Sequence, residues 1–403
     1  MKKILILLFI SVPCLIYSQQ RDERTSMGVR DSLASAILKE TRQIYVYLPK
    51  SYDYPTAKLD GYPVIYLLDG NDHFHSVSGL AHFLGSYARM IPEMIVVAIP
   101  NTDRTRDLTP THTTMMNGQE QDWLKTSGGN DAFLKFIQTE LIPHVESKYR
   151  TKPYRMLIGH SFGGITVVNA LYTMPQTFNS FISIDPSLWW DNQVLLKKAR
   201  SYFLTANLKG KSLFISKANT LSPRDTVNAH FESISEFATL LETRNHSGLR
   251  WRYEYYKDDN HGSVPLISEY DGMRFIFENY PQRLNDIDNP EKLKKIFADY
   301  SEEMGFKFLP PEETINNIGY RAMNERKYDQ ALLFFQLAID YYPHSANVYD
   351  SMGELWMNKG DNKKAIGYYE KSLTLNPDND GAKAFIKKMK ETEGAKSQKS
   401  KSK

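Results

Sequence analysis

The segment that most restricts the fold of this chain is a glycine-flanked serine in GHSFGG, residues 159–164. The apolar run before it, YRMLIG, is typical of a buried strand, and the run after it, ITVVNALYTM, is typical of a buried helix. A strand, a tight turn and a helix in this order form the G-x-S-x-G turn, which exposes a serine side chain at the edge of a sheet. The pattern therefore predicts that Ser161 is a nucleophile at the carboxyl end of a parallel strand.

Short β-rich runs alternate with helical patterns from about residue 43 to residue 280. Several of these runs are continuously apolar, as strands covered on both faces should be. The alternation predicts a mostly parallel central sheet with helices on both faces. Together with the G-x-S-x-G turn, it predicts an α/β-hydrolase fold. The predicted strands are residues 43–49, 63–69, 94–100, 154–159, 181–185, 212–217 and 250–256, and the predicted helices are residues 131–148, 163–174, 226–242 and 266–280.

After residue 280 the pattern is helical only, and it repeats with a period of 34 residues. The spacing resembles the tetratricopeptide repeat, in which small residues stand where paired helices cross. The matching pairs are Gly319 and Gly353, Ala331 and Ala365, Phe335 and Tyr369, and Pro343 and Pro377.

A chain of 403 residues exceeds what one hydrophobic core usually holds, so two folded units are expected. We predict a signal peptide at residues 1–18, an α/β-hydrolase domain at 19–285 and a helical linker at 286–311. Two repeats with a capping helix follow at 312–390, and a disordered basic tail at 391–403. So short an array either binds a protein partner or buttresses the larger domain.

The first residues have the composition of a signal peptide, because Lys2 and Lys3 precede an apolar stretch that ends before Ser18. The stretch is shorter than the roughly 20 residues that a membrane-spanning helix needs. We therefore expect an exported protein, periplasmic or secreted after cleavage near Ser18, without an integral membrane segment. Cys14 raises the alternative of a lipoprotein, but Pro13 stands where a small residue is expected. Cleavage would remove Cys14, the one cysteine of the sequence, and with it any thiolate chemistry.

A nucleophilic serine needs an adjacent base, and a histidine is the usual one. In the α/β-hydrolase order, this base follows the nucleophile on a loop after the last strand. His261 meets the condition, since it lies between the predicted strand 250–256 and the predicted helix 266–280. His230, inside a predicted helix, and His246, in a polar connection, are expected to be ordinary surface residues.

The acid that orients the imidazole should stand between Ser161 and His261, just after a late strand. Asp225, in KANTLSPRDT, is the first candidate, although it also suits the first turn of the following helix. Asp185, at the end of the strand 181–185, is the second candidate. A Ser–His pair without an acid is the third alternative.

Acyl transfer needs backbone N–H groups directed at the developing oxyanion. Phe162, directly after the nucleophile, supplies one, and Asn71, in the loop after the strand 63–69, is expected to supply the other. His73 and His75 follow closely, but two histidines without a third ligand are weak grounds for a metal site. The sequence predicts neither a metal nor a cofactor.

Five segments together resemble the esterase branch of the α/β hydrolases, which contains enterochelin esterases, esterase D and feruloyl esterases. They are YPVIYLLDGNDHF, NTDRTRDLTPTH, LIGHSFGG, FISIDPSLWWD and DDNHGSVP, within about residues 30–280. SLWWD is similar to the periplasmic siderophore-trilactone esterases, which implies that Ser161 and His261 are catalytic and that Trp189 and Trp190 lie near the acyl pocket. Asn219 departs from this pattern, because many relatives carry their acid there.

We therefore predict hydrolysis of a carboxylic ester, from a small molecule or a carbohydrate, through an acyl-enzyme. A siderophore trilactone is the first substrate class, and a feruloyl or acetyl ester on a polysaccharide is the alternative. A third hypothesis is an interaction protein whose repeats bind a partner beside an inactive hydrolase domain. Nucleic acid is not expected as a partner, because Lys+Arg 50 against Asp+Glu 47 gives a nearly balanced charge.

Overall fold

The computed structural model describes residues 27–53, 61–116, 118–221, 228–245, 247–282, 284 and 286–401, with the backbone alone for 392–401. The predicted signal peptide and the predicted acid Asp225 lie outside the described residues. Within the described ranges, none of the helices combines the length and the apolar character that crossing a bilayer requires.

The described chain contains ten strands: β1 (Val29–Ser35), β2 (Glu40–Tyr47), β3 (Tyr62–Leu67), β4 (Ile95–Ala98), β5 (Met115–Met116), β6 (Gln119–Glu120), β7 (Thr151–His160), β8 (Ser180–Ile184), β9 (Ser212–Ala218) and β10 (Arg250–Tyr256). Eight of them form one sheet in the order β1-β2-β4-β3-β7-β8-β9-β10, and β5 pairs with β6 separately. β2 is antiparallel to β1 and β4, whereas all neighbours from β4 to β10 are parallel. The predicted mostly parallel sheet is therefore confirmed, with β1 as an additional strand.

The helices that accompany the sheet are α1 (Gly70–Ala81), α2 (Arg104–Leu108), α3 (Asn130–Phe136), α4 (Ile142–Lys148), α5 (Phe162–Thr173), α6 (Trp190–Thr205), α7 (Ala229–Arg244) and α8 (Val264–Ile276). π-helical turns extend α1 over His82–Tyr87 and join α3 to α4 over Ile137–Leu141. The helices after the sheet are α9 (Pro290–Met304), α10 (Glu312–Asn324), α11 (Tyr328–Tyr341), α12 (Ala346–Asn358), α13 (Asn362–Leu375) and α14 (Asp380–Lys401).

Two long helices, α1 and α6, are absent from the sequence-based prediction. α1 joins β3 to β4, and parallel neighbours such as these need a crossover connection. Its first turn, GNDHFH, is polar and begins with glycine, so the local pattern favoured a loop. The first turn of α6 is irregular, because Asp191, Asn192 and Gln193 have positive φ angles of 43°, 52° and 63°.

Two apolar clusters cover the two faces of the sheet. Adjacent residues of β7 alternate between them, since Leu157 belongs to one cluster and Met156 to the other. The cluster on the Leu157 face includes residues of α3 to α7. The cluster on the Met156 face includes α1 and α8, and it continues into α9, α10, α11 and α12. The C-terminal helices therefore extend one of the two cores of the sheet domain.

Tyr154 connects the C-terminal helices to β7, the strand that leads into the turn at Ser161. It is fully buried, and its ring centroid lies 5.4 Å from that of Phe308, 5.5 Å from that of Phe306 and 5.8 Å from that of Phe277. We call these four residues the β7 aromatic cluster. Because Phe306 and Phe308 lie between α9 and α10, this segment packs directly against the sheet domain.

The repeat helices cross closely where the sequence has glycine. A Cβ on Gly319 would lie 2.5 Å from Phe335 Cε1, and a Cβ on Gly353 would lie 3.1 Å from the Tyr369 ring. These contacts join α10 to α11 and α12 to α13, as the 34-residue spacing predicts. Two further small apolar clusters, separate from the sheet cores, hold much of this region together.

The last helix, α14, runs to Lys401, across residues for which the sequence predicts a disordered tail. The structure differs from that prediction at residues 391–401. Seven of these eleven residues are lysine, glutamate, alanine or glutamine, which are strong helix formers, and the segment continues a helix that already begins at Asp380.

Candidate active site

Ser161 lies at the turn between β7 and α5, with φ 59° and ψ −112°. These angles are strained for a residue with a side chain, and backbone hydrogen bonds hold them. Ser161 N–H donates to Ile184 O at 3.0 Å, and Ser187 N–H donates to Ser161 O at 3.2 Å. A Cβ on Gly159 would lie 2.4 Å from Gly163 O, so strand and helix meet backbone to backbone. The predicted strand, turn and helix around Ser161 are present.

Asp185, the second candidate for the acid, lies directly after β8 and has no exposed surface. Its Oδ2 accepts a hydrogen bond from His261 Nδ1 at 2.6 Å, and its Oδ1 accepts one from Ala218 N–H at 2.9 Å. Burial alone would raise the pKa of Asp185, but hydrogen bonds from His230 and His261 outweigh it, so the pKa is lowered. Asp185 is therefore ionised at neutral pH. Because a carboxylate only accepts, His261 carries its hydrogen on Nδ1 and leaves Nε2 free.

His261 lies on the loop between β10 and α8, and its side chain is 42% exposed. Its ring centroid is 4.5 Å from that of His160, the residue directly before Ser161. In the described part of the chain, Ser161 Oγ lies 3.2 Å from Ser187 Oγ, and no hydrogen bond joins it to His261. The sheet edge thus brings Ser161 and His261 into one neighbourhood, with Ser187 as a neighbour that the sequence did not indicate.

His160 separates two other imidazoles, since its ring faces His261 on one side and lies 5.7 Å from the ring of His73. Burial lowers the pKa of His160 to about 3, and the nearby His261 and His73 act in the same direction. Its Nε2 is buried and has no hydrogen-bond partner among the described residues. His160 is therefore a neutral ring that packs against the ring of His261.

His230, predicted to be an ordinary surface residue, is the second histidine bound to Asp185. Its Nε2 lies 3.0 Å from Asp185 Oδ2, the oxygen that also holds His261, and its side chain is 14% exposed. Asp185, His230 and His261 are the grouping in the described ranges whose donor atoms are spaced as metal ligands, all within 4.8 Å. Hydrogen bonding to one oxygen accounts for this spacing. The helical pattern around His230 gave no sign of the contact, because β8, α7 and the His261 loop meet only in three dimensions.

The start of α1 lies against the nucleophile turn, where the oxyanion hole is predicted. Asp69, at φ 51°, accepts a hydrogen bond from Arg104 Nε at 2.7 Å. A Cβ on Gly163 would lie 3.0 Å from Asp69 Oδ2, so this carboxylate packs on the first turn of α5. Asn71 is the second residue of α1, and Phe162 is the first residue of α5. First-turn N–H groups lack intrahelical acceptors and attract negative charge, which suits both residues to an oxyanion hole.

An aromatic surface surrounds Phe162. Its ring centroid lies 5.1 Å from that of Trp190, 6.4 Å from that of Trp189 and 6.3 Å from that of Trp123, with which it stacks. Trp190 is 2% exposed and donates from Nε1 to Thr111 Oγ1 at 3.1 Å, so it supports this surface from the core. Trp189 is half-buried, and Trp123, which the sequence did not single out, is 49% exposed.

His73 and His75 have different surroundings. His73 Nδ1 lies 3.0 Å from Oε1 of Glu269, a residue of α8 that is 1% exposed. Burial would lower the pKa of His73, but the close contact with Glu269 and the charge of this carboxylate outweigh it, so the pKa is raised. His75 is exposed and packs edge-on against Phe74. His73 thus joins α1 to α8 through an ion pair.

A comparison with known protein families agrees with the geometry of the Ser161 site. A model of the family described as "Putative esterase" matches residues 35–242, which is more than half of the chain. This chain belongs to the putative esterase family. A tetratricopeptide-repeat model also matches this esterase, over residues 346–379, the region of α12 and α13.

Individual relatives of the esterase cover most of the sheet domain. It is 27% identical over 252 residues to the siderophore triacetylfusarinine C esterase of Aspergillus fumigatus, covering 54% of this chain and 82% of the relative. It is 28% identical over 254 residues to the ferri-bacillibactin esterase BesA of Bacillus subtilis, covering 59% and 85%. Among solved structures, an IroE-like serine hydrolase from Shewanella oneidensis is similar with a TM-score of 0.70 at 33% identity, covering 78% of this chain and 99% of that chain. The predicted class, an ester hydrolase, is confirmed.

Proposed function

We propose that this esterase hydrolyses carboxylic esters through an acyl-enzyme on Ser161, with His261 as the base and Asp185 as the acid. The observation that carries the proposal is the 2.6 Å contact between His261 Nδ1 and Asp185 Oδ2, beside the strained Ser161 turn. A buried, ionised carboxylate at this place fixes the imidazole tautomer and stabilises the imidazolium. Asp225 thereby gives way to Asp185 in the proposed catalytic set.

The chemistry then follows in two stages. His261 Nε2 takes the proton of Ser161 Oγ as this oxygen attacks the ester carbonyl carbon, and the N–H groups of Asn71 and Phe162 bind the oxyanion. The imidazolium returns the proton to the departing alkoxide, which leaves as an alcohol. Water, activated by His261, hydrolyses the acyl-enzyme and releases the acid. None of these reaction steps uses a metal or a redox partner.

For the substrate, we propose a siderophore ester of the trilactone type. Two curated relatives carry names of siderophore esterases, and each of them matches more than half of the chain. The surface formed by Phe162, Trp123 and Trp189 suits an aromatic acyl group, because flat rings stack favourably on it. The same surface suits a feruloyl group, so a feruloyl or acetyl ester of a polysaccharide is the second candidate.

We further propose that the protein acts outside the cytoplasm, after cleavage near Ser18, because of the basic and apolar residues before that position. The repeats are proposed to buttress the sheet domain through the β7 aromatic cluster. Their outer part, α12 to α14, is proposed as the surface that a protein partner would meet.

The test of the mechanism compares wild type with three variants on 4-nitrophenyl butyrate. Ser161→Ala and His261→Ala should each lower kcat by about 10³-fold or more, and Asp185→Asn by about 10²- to 10⁴-fold. Ser187→Ala is the matched control, since its hydroxyl touches Ser161 Oγ but has no role in the proposed chemistry. Activity that survives Ser161→Ala would contradict the mechanism, and full activity in Asp185→Asn with loss in Asp225→Asn would restore the first candidate for the acid.

The test of the substrate compares kcat/KM for a tris-catecholate trilactone, methyl ferulate and acetylated xylan, with products identified by mass spectrometry. The proposal expects the trilactone to be preferred by about 10²-fold or more. A preference for methyl ferulate or acetylated xylan would replace it with the carbohydrate-ester alternative.

A further inference from the structure

One carboxylate oxygen beside Ser161 holds two imidazoles. Asp185 Oδ2 accepts from His261 Nδ1 at 2.6 Å and from His230 Nε2 at 3.0 Å, and Oδ1 accepts from Ala218 N–H at 2.9 Å. Both oxygens of a fully buried carboxylate are therefore occupied. His261 shares its acid with a residue that arrives from a different element of the fold.

The start of α7 fixes the direction of the His230 ring. His230 is the second residue of the helix, and Asn228 Oδ1 accepts a hydrogen bond from its N–H at 2.9 Å. The ring stands edge-on to His261, with centroids 5.2 Å apart and planes at 88°. Since an ionised carboxylate only accepts, His230 Nε2 carries the hydrogen that it shares with Asp185.

We propose that His230 is a positioning residue that holds Asp185 in place and limits how strongly His261 attracts a proton. This inference rests on the function proposed above, in which His261 is the base. A carboxylate oxygen that already accepts one hydrogen bond offers less negative potential to a second donor. Without His230, the full potential of Asp185 acts on His261, and the imidazolium form becomes more stable. The direction is the same for a neutral and a protonated His230, because both reduce that potential.

Other ionisable groups near the Asp185 carboxylate interact with it more weakly than His230 and His261 do. Lys217 interacts electrostatically with Asp185, but its Nζ lies 3.2 Å from the centroid of the Phe231 ring and donates to Ser235 Oγ at 2.7 Å. Its ammonium group is thus engaged by Ser235 and the Phe231 ring, and no hydrogen bond joins it to Asp185 among the described residues. The groups that face His230 or Asp185 from neighbouring elements are His261, His160, Lys217 and Tyr253, with Glu232 on α7 itself.

The experiment measures kcat/KM against pH from about pH 5 to about pH 9 with a chelator present, which removes adventitious metal from the three donor atoms. His230→Leu removes the donor to Asp185, so the acidic limb should move upward by about 0.5–1 pH unit. The plateau of kcat/KM should fall by about 3- to 10-fold, because the carboxylate loses one of its restraints. His230→Gln places an amide N–H near the position of Nε2 and should restore the wild-type profile.

Glu232→Gln is the matched control, since it changes the charge of the same helix turn without touching Asp185. It should leave the acidic limb within about 0.2 pH unit of wild type. A thermal melt of each variant checks folding. Should His230→Leu unfold, His230→Asn, whose amide is too short to reach Asp185, takes its place with the same expected shift.

Three results would overturn the inference: an unmoved acidic limb in His230→Leu, an equal shift in His230→Gln, or an equal shift in Glu232→Gln. The first result would show that His230 does not act on His261. The second would show that the hydrogen bond from His230 does not cause the pH shift. The third would show that the charge of the helix turn causes it. In each case activity would still depend on Ser161, so the proposed function would stand. Activity that survives Ser161→Ala would instead overturn both proposals together.

Discussion

Glycine allows close packing both at the nucleophile turn and in the repeats, but its neighbours differ. A Cβ on Gly159 would lie 2.4 Å from the backbone oxygen of Gly163, whereas a Cβ on Gly319 would lie 2.5 Å from an edge atom of the Phe335 ring. A backbone oxygen moves only if β7 and α5 move, while a ring can rotate or be replaced. Contacts of nearly equal length therefore differ in how much change they tolerate.

The two regions also differ in what fixes their geometry. At the sheet edge, Asp185, His230 and His261 come from three separate elements and meet through buried hydrogen bonds. In the repeats, apolar contacts join helices that follow each other directly along the chain. The geometry of the sheet edge therefore depends on polar contacts between residues that are distant in sequence. The geometry of the repeats depends on apolar contacts between helices that are neighbours in sequence.

The largest effect is expected from Gly159→Ala, which forces a methyl group against the Gly163 carbonyl. We expect a loss of more than about 4 kcal/mol and little soluble folded protein, measured by yield and denaturant unfolding. Gly79→Ala in α1 is the control, because the nearest atom to its Cβ would be 4.0 Å away, and it should be neutral or stabilising by about 0.5–1 kcal/mol. A folded and stable Gly159→Ala variant would contradict the expectation that a backbone neighbour tolerates an added methyl group less well than a side-chain neighbour does.

The next effect concerns the boundary between the two regions. Phe308→Ala opens the β7 aromatic cluster and should cost about 3–5 kcal/mol, with faster hydrogen exchange in β7. Met352→Ala, at a fully buried position of α12, should cost about 2–4 kcal/mol and leave exchange in β7 unchanged. Hydrogen exchange followed by mass spectrometry distinguishes them, and equal protection of β7 in both variants would argue against the buttress.

Acid should weaken the sheet edge through His160. Its pKa falls from the usual 6.5 to about 3 on folding, so the unfolded chain binds the proton more readily between these values. Stability is then lost as pH falls from about 6.5 towards 3, by about 5 kcal/mol at most. His73, with a raised pKa, opposes the effect. Thermal melts at several pH values should show a flatter acid dependence in His160→Asn, and an unchanged dependence would assign the loss to other groups.

The smallest effect is expected in the repeats. Gly319→Ala should cost about 1–3 kcal/mol, because the added methyl group overpacks the crossing of α10 and α11. Adding Phe335→Leu removes the ring and should recover part of the loss. Denaturant unfolding of the single and double variants measures this recovery, and strictly additive losses would mean that the ring is not the obstacle.

The sequence predicted those parts of the molecule that depend on local pattern. The seven strands and the turn at Ser161 follow from runs of apolar residues, and His261 follows from chain order after the last strand. The 34-residue spacing likewise predicted the glycine positions at which the repeat helices cross.

The rest depends on which strands become neighbours. Asp185 and Asp225 both stand after late strands, and chain order alone cannot rank them. Asp185 meets His261 because β8, β9 and β10 lie side by side, and Ala218 N–H at the end of β9 supplies a further donor. His230 reaches the same oxygen from a helix start, so its local sequence looks like that of any helix.

The β7 aromatic cluster also sets an order of events while the chain is being made. A ribosome releases Tyr154 about 150 residues before Phe308, a wait of about 10–30 s at ordinary rates of synthesis. During that interval, one side of the strand that carries Ser161 has no cover at Tyr154. The strand that carries Ser161 is thus synthesised early and covered late, so we expect a chaperone or a protease to bind the unfinished chain there.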